Sequence, residues 1–457
     1  MKATATTERL GNYLEIFGEL EKRAAGQPAW LRQLREDAFA RFCEIGFPTT
    51  KDEDWRFTNA SPISQATFQF SPDGDKRVKP ADLQPFQIPG ALCCLVFVNG
   101  RFAPALSRLG SCPKGVRIGA LAEEIAKNPG ALESHLGRYT KSIGDGFAAL
   151  NTAFIEDGAY IYVPRRTAIE APIHLLFVSV GDGGQAMAHP HNLIVAEDET
   201  QAAIVEDYVS LGSGAFFSNA VTELVAGESA VISHHLVERE DLEALNVSTL
   251  HMHQARSSNL SSHSVLLGGA LVRNNVHPVL AGEGCECLIN GLFIGNERQH
   301  IDNYMLVEHA SPHCGSRQFY NGILDGRSHG VFHGRIIVHK DAQKTDAKQT
   351  NRNLLLSDDA QIDTKPQLEI YADDVKCTHG ATIGQIEENA LFYMRSRGID
   401  EISARRLLLF AFASESLGRI QSAAVREYLE ALIRRWLPEG KSLLSGEVTE
   451  RRWEEIG

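Results

Sequence analysis

Two potential metal ligands, Cys377 and His379, lie two positions apart in the segment 375–382 (VKCTHGAT). Residues two apart in a β-strand point to the same face, so the thiol and the imidazole are predicted to stand side by side. Both groups bind iron and iron–sulfur units. Two ligands do not complete a metal site. The pair therefore predicts either a site that another chain completes or a small buried cysteine beside a hydrogen-bonded histidine.

A second pair of thiols, Cys285 and Cys287, has the same spacing, and Cys314 follows further along the chain. If the chain forms coils as long as the interval from Cys287 to Cys314, Cys314 is expected to stack near Cys287. The three residues are interpreted either as thiols gathered for chemistry or as small hydrophobic residues of a core, which is how free cysteine usually behaves.

Histidine is unusually dense in one part of the chain, where ten of the seventeen histidines lie between residues 251 and 339. A metal-binding enzyme would need such a density. None of these residues follows zinc-finger or H-E-x-x-H spacing, so hydrogen-bonded histidines at strand ends are the alternative. The ten residues are His251, His253, His263, His277, His300, His309, His313, His329, His333 and His339.

Asp302 and Glu308 are candidates for the two carboxylates of a carbohydrate-cleaving enzyme. This interpretation predicts a stand-alone polysaccharide lyase or hydrolase. The spacing of the two residues carries no catalytic signature, so solvated carboxylates are the alternative. The chain has no glycine-rich phosphate loop, and any ATP-driven step would therefore need another polypeptide.

The elements that would position these groups are short β-rich runs between residues 147 and 384. Similar turn-like sequences begin at Ala196, Ala226 and Ala281. The second separation is nearly twice the first, which indicates one repeat between the first two turns and two repeats between the last two. Such a stride predicts a β-solenoid, with a sandwich or jelly roll as the alternative. The predicted domains are an N-terminal helical and mixed region (1–146), a β-helix core (147–384) and a C-terminal helical domain (385–457).

The last predicted helix carries an apolar stripe on one face and charged residues on the other. The stripe could pack against its own domain or serve as a docking face for a partner helix, and the sequence leaves both interpretations open. Its residues are Val425, Tyr428, Leu429, Leu432, Ile433 and Trp436.

The composition narrows the class of protein. The 457 residues include 45 Lys and Arg against 58 Asp and Glu, a formal net charge of −13, and an acidic chain is poorly suited to bind nucleic acid. The eight cysteines show no disulfide framework, and the start of the sequence has no apolar secretory segment. No apolar run is long enough to span a bilayer. These observations predict a soluble, cytoplasmic protein.

Three sequence blocks resemble the SufB/SufD family of iron–sulfur cluster assembly scaffolds. The first is 47–58 (FPTTKDEDWRFT), and the second comprises 341–347 (DAQKTDA) and 351–357 (NRNLLLS). The third extends over 364–399 and contains ADDVKCTHGAT and LFYMRSRGI. The D-type branch is the better match, because the B-type subunit typically has E-H-E-A where this chain has 378–381 (THGA). The B-type also carries a cysteine where this chain has Met394.

The resemblance implies a right-handed parallel β-helix between two helical regions, with no enzymatic activity of its own. It implies pairing with a SufB-like subunit and binding of a SufC-like ABC ATPase through the C-terminal helices. A transient iron–sulfur cluster is expected at the interface with the SufB-like subunit, where His379 and Cys377 would be shared ligands. The isolated chain is expected to hold no cofactor. When it is alone, a homodimer is the alternative assembly. Neither nucleic acid nor a membrane is an expected partner.

Overall fold

Strands separated by tight turns coil into a parallel β-solenoid of about seven turns. The computed structural model describes residues 2–24, 26–71, 74–139, 145–181, 185–212 and 214–437, with side chains from residue 12 onward. The solenoid wall consists of two sheets, and helical regions lie at both ends of the chain. The predicted mainly β fold with a parallel β-helix core and flanking helices is confirmed.

The first sheet contains eleven strands within the described residues, and its solenoid strands are all parallel. Its strands are β1 (Gln69–Phe70), β4 (Arg117–Ala120), β5 (Ala159–Val163), β7 (Ala186–Ala188), β8 (His191–Ala196), β10 (Phe216–Ala226), β12 (Leu245–Gln254), β14 (Leu271–Leu280), β16 (His300–His309), β18 (His329–Val338) and β20 (Gln361–Ile370).

The second sheet contains ten strands within the described part of the chain and faces the first across the solenoid interior. Its strands are β2 (Cys93–Val98), β3 (Arg101–Phe102), β6 (Ile173–Val180), β9 (Gln201–Leu211), β11 (Val231–Arg239), β13 (Asn259–Leu266), β15 (Glu286–Gly295), β17 (Gly315–Leu324), β19 (Asp346–Leu355) and β21 (Lys376–Gly384).

Helices cover the outside of the solenoid. The α-helices are α1 (Lys2–Arg23), α2 (Ala29–Ile45), α3 (Ser61–Ser64), α4 (Leu121–Lys127), α5 (Pro129–Leu132), α6 (Gly146–Ala153), α7 (Glu388–Ser396), α8 (Glu401–Leu417) and α9 (Ala423–Trp436). Short 3-10 helices occur at Glu53–Trp55, Gly74–Arg77 and Pro80–Phe86. Among the described residues, no helix combines the length and the apolar character needed to cross a membrane.

The coil length agrees with the recurrence in the sequence. Ala226 pairs with Ala196 one coil earlier, and Leu280, the residue before Ala281, lies two coils beyond Ala226. From β6 to β19, each strand of the second sheet pairs with the strand one coil later, and the separation of the paired residues along the chain changes little. The stride of one and then two coils is therefore confirmed.

The apolar stripe of α9 packs inside the protein rather than facing solvent. Val425, Leu429 and Ile433 are buried in a cluster with Val205 and Val237 on the outer face of the second sheet. Burial of such a face removes apolar surface from water and fixes the helix against the solenoid. The docking-face interpretation of this stripe is therefore wrong.

The domain boundaries at 146/147 and 384/385 stay predictions. Strand Cys93–Val98 belongs to the predicted N-terminal region because it precedes residue 147. It nevertheless pairs in parallel with Ile173–Val180 of the second sheet. Residues 438–457 of the predicted C-terminal domain lie outside the described residues, as do residues 1, 25, 72–73 and 140–144 of the N-terminal region.

Candidate functional site at the open end of the solenoid

The last coil leaves two strands with only one neighbour each. Strand β21 pairs with β19, and strand β20 pairs with β18, and neither has a partner on its other side within the described chain. Lys376 donates its backbone N–H to the carbonyl of Thr345 in the neighbouring coil. Because backbone groups alternate in direction along a strand, the N–H groups of the odd-numbered residues 377–383 point away from β19. This free edge is a template for pairing with another strand.

His379 lies at the end of a row of side chains that face the solenoid interior. Its register partner is Gln349, which in turn pairs with Gln318, and both glutamines are buried. A Cβ built on Gly334 of the opposite sheet would lie 3.0 Å from the amides of both glutamines, which confirms that this row points inward. His379 itself is exposed, because no further coil covers it.

Cys377 occupies the neighbouring interior row, behind Ala347, Ser316 and Cys287. It is half-buried and packs against the interior core. Burial raises the pKa of its thiol above the ordinary value. The structure therefore places Cys377 and His379 on one face, as the two-residue spacing predicts. Metal binding by Cys377 would require loss of the thiol proton.

These two side chains do not form a complete metal site within the chain. The described residues contain no group of three or more His, Cys, Asp or Glu side chains arranged to hold a metal ion. Cys377 and His379 thus supply at most part of a ligand set, and their role as ligands stays a prediction.

Cys285 and Cys314 stack on each other in adjacent coils. Glu286 pairs with Gly315, so the register partner of Cys287 is Ser316 rather than Cys314. The expected stacking of Cys314 on Cys287 is wrong, because the coil at this position is longer than the interval between those two cysteines. The paired thiols are therefore Cys285 and Cys314, and Cys287 faces the core two positions further on.

The histidine-rich stretch is spread over several separate contacts. Glu308 accepts hydrogen bonds from His277 and His339, with Nε2–oxygen distances of 2.6 and 3.3 Å. His329 contacts Asp363 at 2.8 Å, and His309 contacts the hydroxyl of Ser316 at 2.8 Å. The spread of these pairs agrees with hydrogen-bonded histidines in strands. None of them belongs to a metal-holding group among the described residues.

Asp302 and Glu308 do not form a catalytic pair of carboxylates. They lie six residues apart on strand β16, which corresponds to roughly 20 Å along an extended strand. Glycosidase carboxylates are about 5–10 Å apart. Asp302 is also buried and held by Arg273 and Thr58. The geometry gives no support to a polysaccharide-cleaving site at these residues.

Arg273 links the N-terminal sequence block to the solenoid. Its guanidinium lies between the rings of Trp55 and Tyr304, at 4.2 and 4.7 Å from the ring centroids. It also donates to the carbonyl of Asp54 at 2.9 Å. The adjacent Glu53 forms an ion pair with Lys365 of the edge strand β20. The block 47–58 is thus fixed beside the open end.

A buried ionic network that the sequence pattern did not reveal joins α9 to the second sheet. Arg239 donates two hydrogen bonds to Asp207, at 3.0 and 2.6 Å, and Tyr428 donates to the same carboxylate at 3.1 Å. Burial opposes the charge of Asp207, but Arg239 and His174 outweigh it and lower the pKa of this carboxyl. Burial likewise opposes the charge of His174, while Asp207 and Cys94 outweigh it and raise its pKa to about 9.

Large apolar side chains are exposed on the C-terminal helices. Phe392 and Tyr393 of α7 are 73% and 59% exposed, and Ile402 and Leu407 of α8 are also exposed. Clustered exposed apolar residues mark surfaces that contact other proteins. Within the described C-terminal helices, the exposed large apolar side chains therefore lie on α7 and α8, whereas the stripe of α9 is buried.

Comparisons with known proteins agree over nearly the whole chain. A family model described as "SUF system FeS cluster assembly, SufBD core domain" matches residues 177–412, and one described as "SufBD protein N-terminal region" matches residues 8–175. An iron–sulfur cluster assembly SufBD family protein of Synechocystis is 34% identical, over 87% of this chain and 89% of its own length. The iron–sulfur cluster assembly protein SufD of Escherichia coli is 32% identical, over 86% and 90%. SufD of Bacillus subtilis is 24% identical, over 93% and 97%.

Proposed function

This chain belongs to the SufB/SufD family of iron–sulfur cluster assembly proteins, and on that premise we propose that it is a non-catalytic scaffold subunit. In this proposal it pairs with a SufB-like subunit through the open end of its solenoid and binds a SufC-like ABC ATPase through its C-terminal helices. Its role in iron–sulfur cluster assembly follows from the family, whereas the assembly and the contact surfaces are what we propose.

The free edges of β20 and β21 carry the proposal. Outward N–H and C=O groups can pair with a strand of another chain. Such pairing satisfies the hydrogen bonds of the backbone without requiring a particular side-chain sequence. A related SufB-like solenoid offers a matching edge. Pairing there would cover the inward-facing rows that end at Cys377 and His379. A second copy of this chain offers the same edge, so a homodimer is the expected alternative for the lone chain.

The cluster would be cargo at this interface rather than a resident cofactor. His379 supplies an exposed imidazole, and Cys377 supplies a half-buried thiol on the same face. The SufB-like subunit would provide the remaining ligands. We expect no cluster on the isolated chain. A cytoplasmic location is part of the proposal, because a scaffold with eight cysteines needs a compartment that keeps thiols reduced.

The ATPase would bind the exposed apolar side chains of α7 and α8. Phe392 and Tyr393 present the largest such surface in the C-terminal region that the structure describes. Aromatic side chains supply much of the binding energy at protein interfaces. The net charge of −13 is unfavourable for nucleic acid, which is not among the proposed partners.

Co-purification of the tagged chain with both partners tests the proposal. The tagged wild-type chain is expected to retain a second β-rich subunit and an ATPase. Ala381→Pro removes one outward N–H from the edge of β21 and leaves the inward hydrogen bonds to β19 in place. It should lose the SufB-like subunit and keep the ATPase, whereas the matched Ala381→Ser variant should keep both.

Two results would contradict this account. Full retention of the SufB-like subunit by Ala381→Pro would exclude the open edge as the pairing surface. Recovery of the wild-type chain with neither partner, from cells that contain both, would exclude the scaffold assembly altogether.

A further inference from the structure

We propose that Cys285 and Cys314 form a redox-modification site, at which a hydroperoxide converts the two thiols into a disulfide that joins adjacent coils of the solenoid. The inference is independent of the proposed partners and concerns a pair of residues away from the open end.

The backbone places the two residues at disulfide distance. The N–H of Gly315 donates to the carbonyl of Cys285 at 2.8 Å, which fixes Cys285 and Cys314 as neighbours in adjacent coils. Neighbouring strands lie about 4.8 Å apart, within the range of Cα separations that disulfides span. Both sulfur atoms also approach one carbonyl oxygen, that of Gly282, at 3.1 and 3.3 Å. The thiols therefore converge on one point.

The two thiols are not equivalent. The hydrogen bond from Cys314 lowers the pKa of the Cys285 thiol to about 7, although burial opposes this shift. The same contact raises the pKa of Cys314. Of the two sulfurs, Cys285 is therefore the one that loses its proton more readily. Such a pair consists of a thiolate that attacks and a thiol that resolves the product.

The chemistry balances with hydrogen peroxide as the oxidant. The Cys285 thiolate attacks one peroxide oxygen, the O–O bond breaks, and the products are a sulfenic acid on Cys285 and hydroxide. The Cys314 sulfur then attacks the Cys285 sulfur, so that the S–S bond forms and the S–O bond breaks. The Cys314 proton leaves with the departing oxygen as water. The two sulfurs together lose two electrons, and the peroxide accepts both.

The pair lies directly beneath the solenoid surface. Arg256, Glu283 and His313, from the three turns that surround the thiols, are exposed. A small oxidant needs only a local opening of one of these turns to reach Cys285. Cys285, Cys287 and Cys314 are all buried, and Cys287 is the internal contrast because its register partner is Ser316 rather than a second thiol.

The disulfide would join the coils that support helix α8. Ser416 donates to the carbonyl of Gly291 on β15 at 3.1 Å, and Asn321 on β17 donates to the carbonyl of Phe412 at 2.8 Å. Cys285 precedes β15 and Cys314 precedes β17. Oxidation would therefore cross-link the two strands on which α8 rests.

The test is peroxide treatment of the full-length folded chain at pH 7.5, followed by alkylation, trypsin digestion and mass spectrometry without reduction. Arg273, Arg298 and Arg317 place Cys285 and Cys287 in peptide 274–298 and Cys314 in peptide 299–317. A Cys287→Ser background makes the assignment unique. The expected product is the two peptides linked with the loss of two hydrogens.

Matched variants separate the two roles, after circular dichroism and melting confirm that they fold. In the Cys287→Ser background, Cys314→Ser should leave a sulfenic acid on Cys285 that a cyclic diketone traps, and Cys285→Ser should leave Cys314 unmodified. If a serine variant unfolds, fragment ions on either side of Glu286 assign the cross-link in the natural chain. A chain whose exposed Cys43 is oxidised while peptides 274–298 and 299–317 stay unlinked would overturn the proposal.

Discussion

Gln349 and His379 are neighbours in the same inward-facing row of the second sheet, yet Gln349 is 1% exposed and His379 is exposed. The difference arises because β21 covers Gln349 and nothing in the described chain covers His379. An inward-facing side chain at the open end of a solenoid is positioned to meet whatever stacks on that end. The row that contains Gln349 therefore continues through His379 to the proposed interface.

Replacement of His379 by alanine should impair the complex and not the fold. An exposed side chain contributes little to folding, so His379→Ala is expected to change the free energy of unfolding by less than about 0.5 kcal/mol. The yield of cluster on the reconstituted three-subunit complex should fall several-fold. The control is Thr378→Ala, whose exposed side chain lies on the opposite face of the strand. Equal cluster yields from both variants would remove His379 from the site.

Asp207→Asn should strongly destabilise the chain. The substitution leaves Arg239 buried without its charged partner, a loss that typically costs about 3–5 kcal/mol. Urea unfolding gives the change directly. Glu123→Gln breaks an exposed ion pair with Lys127 and should leave the free energy of unfolding nearly unchanged. A similar small cost for Asp207→Asn would show that the buried network does not hold α9 against the sheet.

The stability of the chain should fall in mild acid because several buried histidines, unlike His174, stay neutral. Burial lowers the pKa of His309 to about 4, below the value of about 6.5 in an unfolded chain. Between pH 6.5 and 4 the unfolded state therefore binds the additional proton, and stability decreases as the pH falls. This residue contributes a loss of about 2 kcal/mol between pH 6.5 and pH 5.

The variant that tests this linkage is His309→Gln, compared with the exposed His313→Gln. Urea unfolding at pH 6.5 and 5.0 should show a smaller acid-induced loss for His309→Gln than for wild type, and an unchanged loss for His313→Gln. Parallel pH dependence for all three chains would contradict the assignment of a neutral buried imidazole to His309.

Phe392→Ala should weaken the interaction with the ATPase without unfolding the chain. Truncation of an aromatic anchor at an interface costs more than about 1.4 kcal/mol, which is at least about a tenfold loss of affinity. Titration of the ATPase against each variant measures the change. Leu109→Ala truncates another exposed apolar side chain, in the N-terminal region, and should bind as wild type does. Equal affinity for both variants would place the ATPase elsewhere.

The solenoid could be predicted from the sequence because each coil repeats its turn. Ala196, Ala226 and Ala281 recur at coil spacing, since similar residues are needed wherever the chain turns between the sheets. The pairing of Cys377 with His379 on one face followed from the period of two along a strand.

The contacts between distant segments could not be predicted in the same way. Gln318 and Gln349 are polar residues in the interior, so they interrupt the apolar alternation from which register is inferred. Arg239 and Tyr428 lie far apart in the sequence, and no local pattern marks such a pair. The coil lengths vary slightly, and for this reason the residue that stacks on Cys314 is Cys285 rather than the expected Cys287.

Hydrogen–deuterium exchange along β21 tests the proposed interface most directly. The amides of the lone chain, at a concentration where it is monomeric, are compared with those in the complex with the SufB-like subunit. The N–H groups of Cys377, His379 and Ala381 should gain at least about tenfold protection on complex formation. That of Lys376, already bonded to Thr345, should change least. Unchanged exchange of the three outward amides in the complex would contradict the account.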